Sequence, residues 1–354
     1  MGNIDEKTIA ALLTAVPLFM ACQQTDEIQP VDRQSVALRL TSGIIGVQTR
    51  AVDASWESGD EIGVFTTSAE TQTVTYSGTQ LDENMRYITT GTTGTASFTA
   101  VSGDIYLPVN GNPVDVYAYY PYSSTVNATT PLSFTIPADQ SAANAPATKT
   151  YDVMKGSAKS TTLAPIDIDH ETATLSFTHC LSKVLIKLKV SGTYTYNDIY
   201  NKVNSIQLTG QPTAATFAPV SQELTISTAS ETIKAITAKL LESSDPDYEA
   251  YDEEGTAIIH TFRAFVMPND ATSNPANTSI DVTVNPHLIL FNIGAGAGVE
   301  YKYPITYTLR AGYQTTFTIT LGPTGIKVDA TIVPWSTDGT SGVISPQDPY
   351  DDED

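Results

Sequence analysis

The sequence predicts an all-β protein made of two antiparallel β-sandwich domains in tandem. Short runs that alternate apolar with polar residues, or are apolar throughout, recur about every 10 to 15 residues between clusters of Gly, Pro, Asn and Ser. No window sustains the 3.6-residue period of an amphipathic helix. Only 16% of the residues are charged, while Thr, Ser, Ala, Val and Ile abound, which suits strand surfaces better than helix surfaces.

The first element is not part of either domain. Residues 9–21 form an apolar run of 13 that ends at Ala21-Cys22 and gives way to Gln23, Gln24, Thr25, Asp26 and Glu27. Crossing about 30 Å of hydrocarbon takes roughly 20 residues, whereas a signal-peptide core takes about 7 to 15, so the run reads as a segment that is cut off. Leu18-Phe19-Met20-Ala21-Cys22 is similar to a lipobox with Phe where Leu is usual, which makes Cys22 the expected lipidation site. The n-region is weak, with Lys7 set against Asp5 and Glu6.

Val36, Leu38 and Leu40 then alternate with Ala37, Arg39 and Thr41, the pattern of a strand with one buried face. Strand-length runs follow at 61–65, 73–76, 96–100, 114–120 and 132–136. Residues 138–150 and 155–165 are Ala-, Ser- and Pro-rich and read as loops. Strong alternation resumes at 174–177 and 183–190, with Val184, Ile186, Leu188 and Val190 on one face and Lys183, Lys187 and Lys189 on the other. A new sheet is expected to begin there, so the domain boundary is placed near residue 170. Runs at 205–208, 223–226, 261–267, 279–284, 305–309, 315–320 and 327–333 supply the second domain, and 347–354 is an acidic tail. The resulting division is 1–22 signal peptide and lipobox, 23–50 linker and first strand, 51–170 first sandwich completed by strand 34–47, 171–346 second sandwich, and 347–354 tail.

Charge and motif content exclude several functions. Lys and Arg number 18 against 39 Asp and Glu, a net charge of -21, which repels phosphate backbones and rules out nucleic acid as a partner. His170, His179, His260 and His287 are scattered without the spacing of a transition-metal site. Gly294-Ala295-Gly296-Ala297-Gly298 lacks the third glycine position and the helix of a dinucleotide fingerprint. Asp245-Pro246-Asp247-Tyr248-Glu249 lacks the glycine and the distal acid of a calcium loop and reads as a solvated acidic segment. No nucleophile elbow is present. Cys180, the only cysteine besides Cys22, reads as a small buried apolar residue. Tyr117 and Tyr119 fall on one face of a strand and read as core rather than as a sugar-stacking platform. No enzyme activity and no cofactor are expected.

Several landmarks, taken in order, resemble the fimbrillin family, the Mfa-like subunits of type V pili. They are Thr49-Arg50-Ala51, the block from Trp56 to Phe65, Val116-Tyr117-Ala118-Tyr119-Tyr120-Pro121-Tyr122, and Tyr151-Asp152-Val153-Met154. Leu175-Ser176-Phe177-Thr178-His179, Leu309-Arg310-Ala311-Gly312 and Ala330-Thr331-Ile332-Val333-Pro334-Trp335 continue the series. The resemblance implies two transthyretin-like β-sandwich domains, export as a lipoprotein to the outer surface, proteolytic removal of the first strand, and polymerisation by strand exchange. It makes Arg50-Ala51 the expected processing site of a trypsin-like protease and Val36, Leu38 and Leu40 the removable strand. The expected partners are other pilus subunits, that protease, and a host glycan or protein receptor. Val343 and Ile344, the last sizeable apolar pair after Trp335, are too little to refill a vacated groove. The expected role is therefore a tip subunit that accepts a strand and donates none, unless 325–333 is itself the donor. The rival reading is a monomeric glycan-binding surface lipoprotein.

Overall fold

A computed structural model of the chain describes residues 35–44, 55–70, 76–77, 80–81, 84–92, 95–141, 148–190, 203–251, 258, 260–269, 287–293, 299–305, 309–322, 325–334 and 342–343. Ser35–Asp354 forms one compact unit. The described residues form strands and their connections, with two single-turn 3-10 helices at Thr148–Thr150 and Ser230–Thr232. The strands are β1 (Arg39–Ile44), β2 (Glu61–Ser68), β3 (Tyr76–Ser77), β4 (Gln80–Leu81), β5 (Met85–Thr89), β6 (Thr95–Ala100), β7 (Val114–Tyr120), β8 (Leu132–Thr135), β9 (Met154–Ala158), β10 (Thr172–His179) and β11 (Ser182–Val190). They continue with β12 (Val203–Pro212), β13 (Ala214–Ala218), β14 (Glu223–Ile226), β15 (Ile233–Thr237), β16 (Lys239–Leu240), β17 (His260–Val266), β18 (His287–Ile293), β19 (Val299–Ile305), β20 (Tyr313–Gly322), β21 (Gly325–Pro334) and β22 (Gly342–Val343).

The first domain is a closed ring in the order β1-β10-β9-β7-β2-β5-β6. The sequence pointed to antiparallel pairing throughout, whereas the strand order closes on itself and contains one parallel pair, β1 with β10. The reason is that β1 and β10 are the first and last strands of the domain, so no hairpin joins them and their direction is free. Inside the ring lie Leu38, Leu40, Trp56, Ile62, Val64, Phe98, Val116, Ala118, Leu175 and Phe177, all buried. The changeover to the next sheet falls at Cys180 and Leu181, between β10 and β11, so β10 (Thr172–His179) belongs to the first ring. Both strands alternate with the same period, and only their partners across the sheet separate them.

The second domain has a six-stranded sheet, β16-β17-β11-β20-β21-β22, and a four-stranded one, β15-β12-β18-β19. Val184, Ile186, Leu188, Phe262, Ala264, Phe317 and Ile319 of the first share a core with Ile206, Leu208 and Ile236 of the second. Cys180 is buried there, and desolvation pushes its thiol up to about 12, as an inert core residue requires. β7 serves both domains. Val114, Val116, Ala118 and Tyr120 point into the barrel, whereas Tyr117 and Tyr119 join Phe65 in the core shared with the second domain. β8, from the first half of the chain, pairs with β13 of the second, and Gln140 clasps the backbone of Phe265 through both its amide atoms (2.7 and 2.8 Å).

The acidic segment around residue 247 is not a solvated loop. Asp245 meets Lys239 (3.1 Å), Asp247 meets Lys183 (2.7 Å) and Arg263 (3.0 Å), and Glu249 meets Lys187 (2.6 Å). Alternate acids therefore lie across the basic face of β16, β17 and β11, leaving Lys183 1% exposed. Removing a buried partner costs about 3 to 5 kcal/mol, against about 0 to 1 for an exposed pair. Asp247→Ala is thus expected to lower the urea midpoint strongly and Glu249→Ala to leave it nearly unchanged; equal midpoints would refute the distinction.

Candidate functional site: the closing strand and its groove

β1 lies between two strands and is needed by both. It runs parallel to β10 from Arg39 opposite Thr172 to Ile44 opposite Phe177, and antiparallel to β6 from Leu40 opposite Phe98 to Gly43 opposite Thr95. The preceding residues continue the pairing: the Leu38 amide donates to the Ile105 carbonyl (2.8 Å) and the Leu107 amide to the Val36 carbonyl (2.9 Å). Alternation then sends Leu38, Leu40, Ser42 and Ile44 inward, each buried, while Val36 packs partly against the same core.

The groove beneath β1 is aromatic. Trp56 makes edge-on contacts with Phe98 (5.0 Å between centroids), Phe177 (5.0 Å) and Tyr120 (5.7 Å). Phe177 reaches this position because its cross-strand neighbour is Gly156, where a Cβ would come within 2.9 Å of the ring. Ser42 fits the groove less well than its neighbours. Its hydroxyl is fully buried without a hydrogen-bond partner, a deficit of about 1 to 3 kcal/mol.

Beyond Ile44 the groove opens into a cleft of ≈ 350 Å³ between the domains, lined among others by Ile44, Ser55, Trp56, Tyr120, Asp245 and Arg263. Its charged groups are mostly matched, while the indole Nε1 of Trp56 is buried without a hydrogen-bond partner. His179 Nδ1 lies 3.0 Å from the Asp152 carboxylate, Lys149 donates to Glu57 (2.8 Å), and the Tyr120 hydroxyl donates to Asp60 (3.2 Å). Burial, with nearby carboxylates, raises the Tyr120 pKa far above its ordinary value. The arrangement offers packing rather than a reacting group.

Of the residues singled out from sequence, Leu40 lies in β1, and Val36 and Leu38 lie in the segment that leads into it. Cys22, Arg50 and Ala51 lie outside the described residues, as do the 294–298 loop and the acidic tail. Ser42 and the arm Ile105-Tyr106-Leu107 were missed. The arm had a period-two signal, but one too short to register beside the longer runs.

A family model described as fimbrillin-like matches residues 49–335. The chain belongs to the fimbrillin-like family. A Bacteroides uniformis protein named as a fimbrium subunit, Fim1C, is 29% identical over 350 residues, covering 94% of this chain and 96% of its own length. A crystal structure of a Bacteroides uniformis protein named for cell adhesion matches with a TM-score of 0.61 at 25% identity, over 85% of this chain and 99% of that one. One from Bacteroides ovatus, also named for cell adhesion, gives 0.59 at 19% identity over 87% and 100%, a likeness of fold. These likenesses support a structural role as a pilus subunit, at the cell surface in a fimbrium, in a family of fimbrial subunits rather than enzymes. No helix among the described residues is long and apolar enough to cross a membrane.

Truncating a buried leucine costs about 2 to 5 kcal/mol, while an outward-facing residue stays within about 0.5. Leu40→Ala in the unprocessed protein is expected to fall in the first range and Thr41→Ala in the second, as read by thermal melting of the first domain. Similar small shifts for both would mean that β1 is not an integral wall of the barrel.

Proposed function

We propose that this fimbrillin-like protein is a type V pilus subunit, exported as a lipoprotein on Cys22 and assembled by donor-strand exchange after a trypsin-like protease cuts at Arg50-Ala51. The observation that carries the reading is that the strand closing the first barrel is also the first strand of the compact unit. It is joined to the rest of the barrel through residues 45–54 alone, so one cut there separates a complete wall from the domain. Leu38, Leu40 and Ile44 each contribute about 1.5 to 3 kcal/mol of burial, a sum comparable with the whole stability of an ordinary domain. Two strand edges, those of β10 and β6, would then face each other across an aromatic groove, and an extended segment from a neighbour supplies both the hydrogen bonds and the side chains.

Arg39 is a poor alternative for the protease. Its backbone amide is bonded to the Glu171 carbonyl (2.8 Å) and its residue is paired in β1, where cleavage requires local opening. β21 runs beside β20 over its full length, Gly325 opposite Gly322 to Pro334 opposite Tyr313. That pairing favours a subunit that accepts a strand and keeps its own last strands at home, the behaviour of a pilus tip. A glycan or protein receptor would then be bound at that tip. The rival glycan module loses its simplest platform, because Tyr117, Tyr119 and Tyr120 are all buried.

Arg50→Ala is expected to leave melting unchanged and to abolish both the new N-terminus at Ala51 and the ladder of multimers after protease treatment. Multimers formed by the uncleaved variant would sink the mechanism. Deleting residues 336–354 tests the tip assignment separately. Undiminished polymer formation is expected, and loss of polymer growth by a folded protein would make this subunit a donor.

A further inference from the structure

Among the described residues of the first domain, the large apolar side chains left exposed are Val101, Tyr106, Val109 and Leu163. All four belong to one end of the barrel. β7 begins where β9 ends, Val116 opposite Ala158; β1 and β10 begin together, Arg39 opposite Thr172; and β6 ends beyond the start of β1, since Leu40 lies opposite Phe98. The connections 101–113 and 159–171 therefore gather where the chain enters β1. Bonds from the Leu107 amide to Val36 and from the Val114 amide to Ile166, both 2.9 Å, tie them together. The opposite end faces the cleft with Asp245 and Arg263 of the second domain.

The two turns at this free end share a chemistry. The Gly111 amide closes one on Pro108 (2.9 Å), with Val109 at its corner, and Thr161 and Ala164 close the other on each other (3.1 and 3.2 Å), with Leu163 at its corner. Leu163 is 98% exposed. The tips 105–113 and 160–166 contain no charged side chain, while Asp104, Lys159, Asp167, Asp169 and Glu171 flank them in the same connections and the protein carries a net charge of -21. Single exposed apolar residues are ordinary on a protein surface, so the weight here falls on their gathering at one end, beside the entry of the chain.

The position of the chain entry names the occupant. Cys22 precedes Ser35 by 13 residues, a tether of at most roughly 45 Å. A lipid on Cys22 holds this end of the barrel near the bilayer and raises its effective concentration there to about the millimolar range. We propose that, before processing, the free end of the first barrel docks on the membrane surface, with Leu163 and Val109 entering the acyl boundary and Tyr106 at the interface. The contact is apolar and therefore suited to a zwitterionic surface, since the net charge opposes an anionic one. This orientation turns the Ile44 end of β1, which leads to Arg50, away from the bilayer. Cleavage there removes lipid and strand in one step. The inference rests on the lipoprotein reading, and its test separates the two.

The unlipidated chain from Gln23 onward, which retains the whole compact unit, is floated with phosphatidylcholine vesicles. Partitioning that is insensitive to salt is expected, and Val109→Asp with Leu163→Asp is expected to reduce it about tenfold or more without changing Tm. Should that double variant misfold, Leu163→Trp reads the same contact, its fluorescence being quenched by brominated lipid. Absence of partitioning, partitioning unchanged in the folded double variant, an unquenched indole in Leu163→Trp, or self-association abolished by the double variant in place of vesicle binding would overturn the proposal. A mass spectrum of cell-surface protein decides the tether independently. Unmodified Cys22 contradicts the lipoprotein reading whatever the vesicles do, whereas lipidated Cys22 without vesicle binding overturns docking alone.

Discussion

The first domain depends on one strand being hydrogen-bonded on both sides. β1 gives β10 a parallel neighbour and β6 an antiparallel one, and the ring has no edges only while β1 is present. Its inward side chains meet Phe98, Ala173, Leu175 and Phe177 across those two pairings, so backbone closure and core filling come from the same residues. A barrel sealed in this way resists pairing with other chains, because a closed sheet offers no template. The same construction makes the domain acutely sensitive to a single covalent bond.

The second domain repeats part of this plan without the weakness. β11 is its first strand and, like β1, runs parallel to one neighbour, β20, and antiparallel to another, β17. It follows β10 after only Cys180 and Leu181, so it is continuous with the first domain at one end. Lys183 on β11 is further pinned by Asp247, itself held by Arg263. β7 packing on both faces and the β8–β13 pair join the domains, so opening the first barrel leaves a scaffold to which its remaining strands stay attached. Ser42 bears on how readily β1 departs. Its buried hydroxyl has no partner, so in the strand exchange proposed above a donor that filled this position better would be favoured over β1.

Much of this architecture was legible in the sequence, because period-two alternation is a local property. Val36, Leu38 and Leu40 announced a strand with one buried face, and the run at 61–65 announced β2. What could not be read were relations between residues far apart in the chain. Arg39 and Thr172 are neighbours only after the domain has closed, so the parallel pair and the barrel were invisible, and β10 was assigned to the domain whose pattern it shares. The acidic residues 245, 247 and 249 looked solvated because their cations come from β11, β16 and β17. Lys183 was expected on an open face, yet that face is covered by the acidic segment. Cys22, Arg50 and Ala51 rest on motif chemistry alone, since they lie outside the described residues.

The central claim is that β1 is a separable wall whose loss opens the first barrel and nothing else. Hydrogen exchange on the protein before and after cleavage at Arg50 addresses it directly. Amides of β6 and β10 are predicted to lose protection when the peptide ending at Arg50 departs and to regain it when multimers form, while β11, β17 and β20 stay protected throughout. A cleaved protein that keeps the peptide and its β6 and β10 protection while still forming multimers would contradict the claim. So would a loss of protection that spreads through both domains.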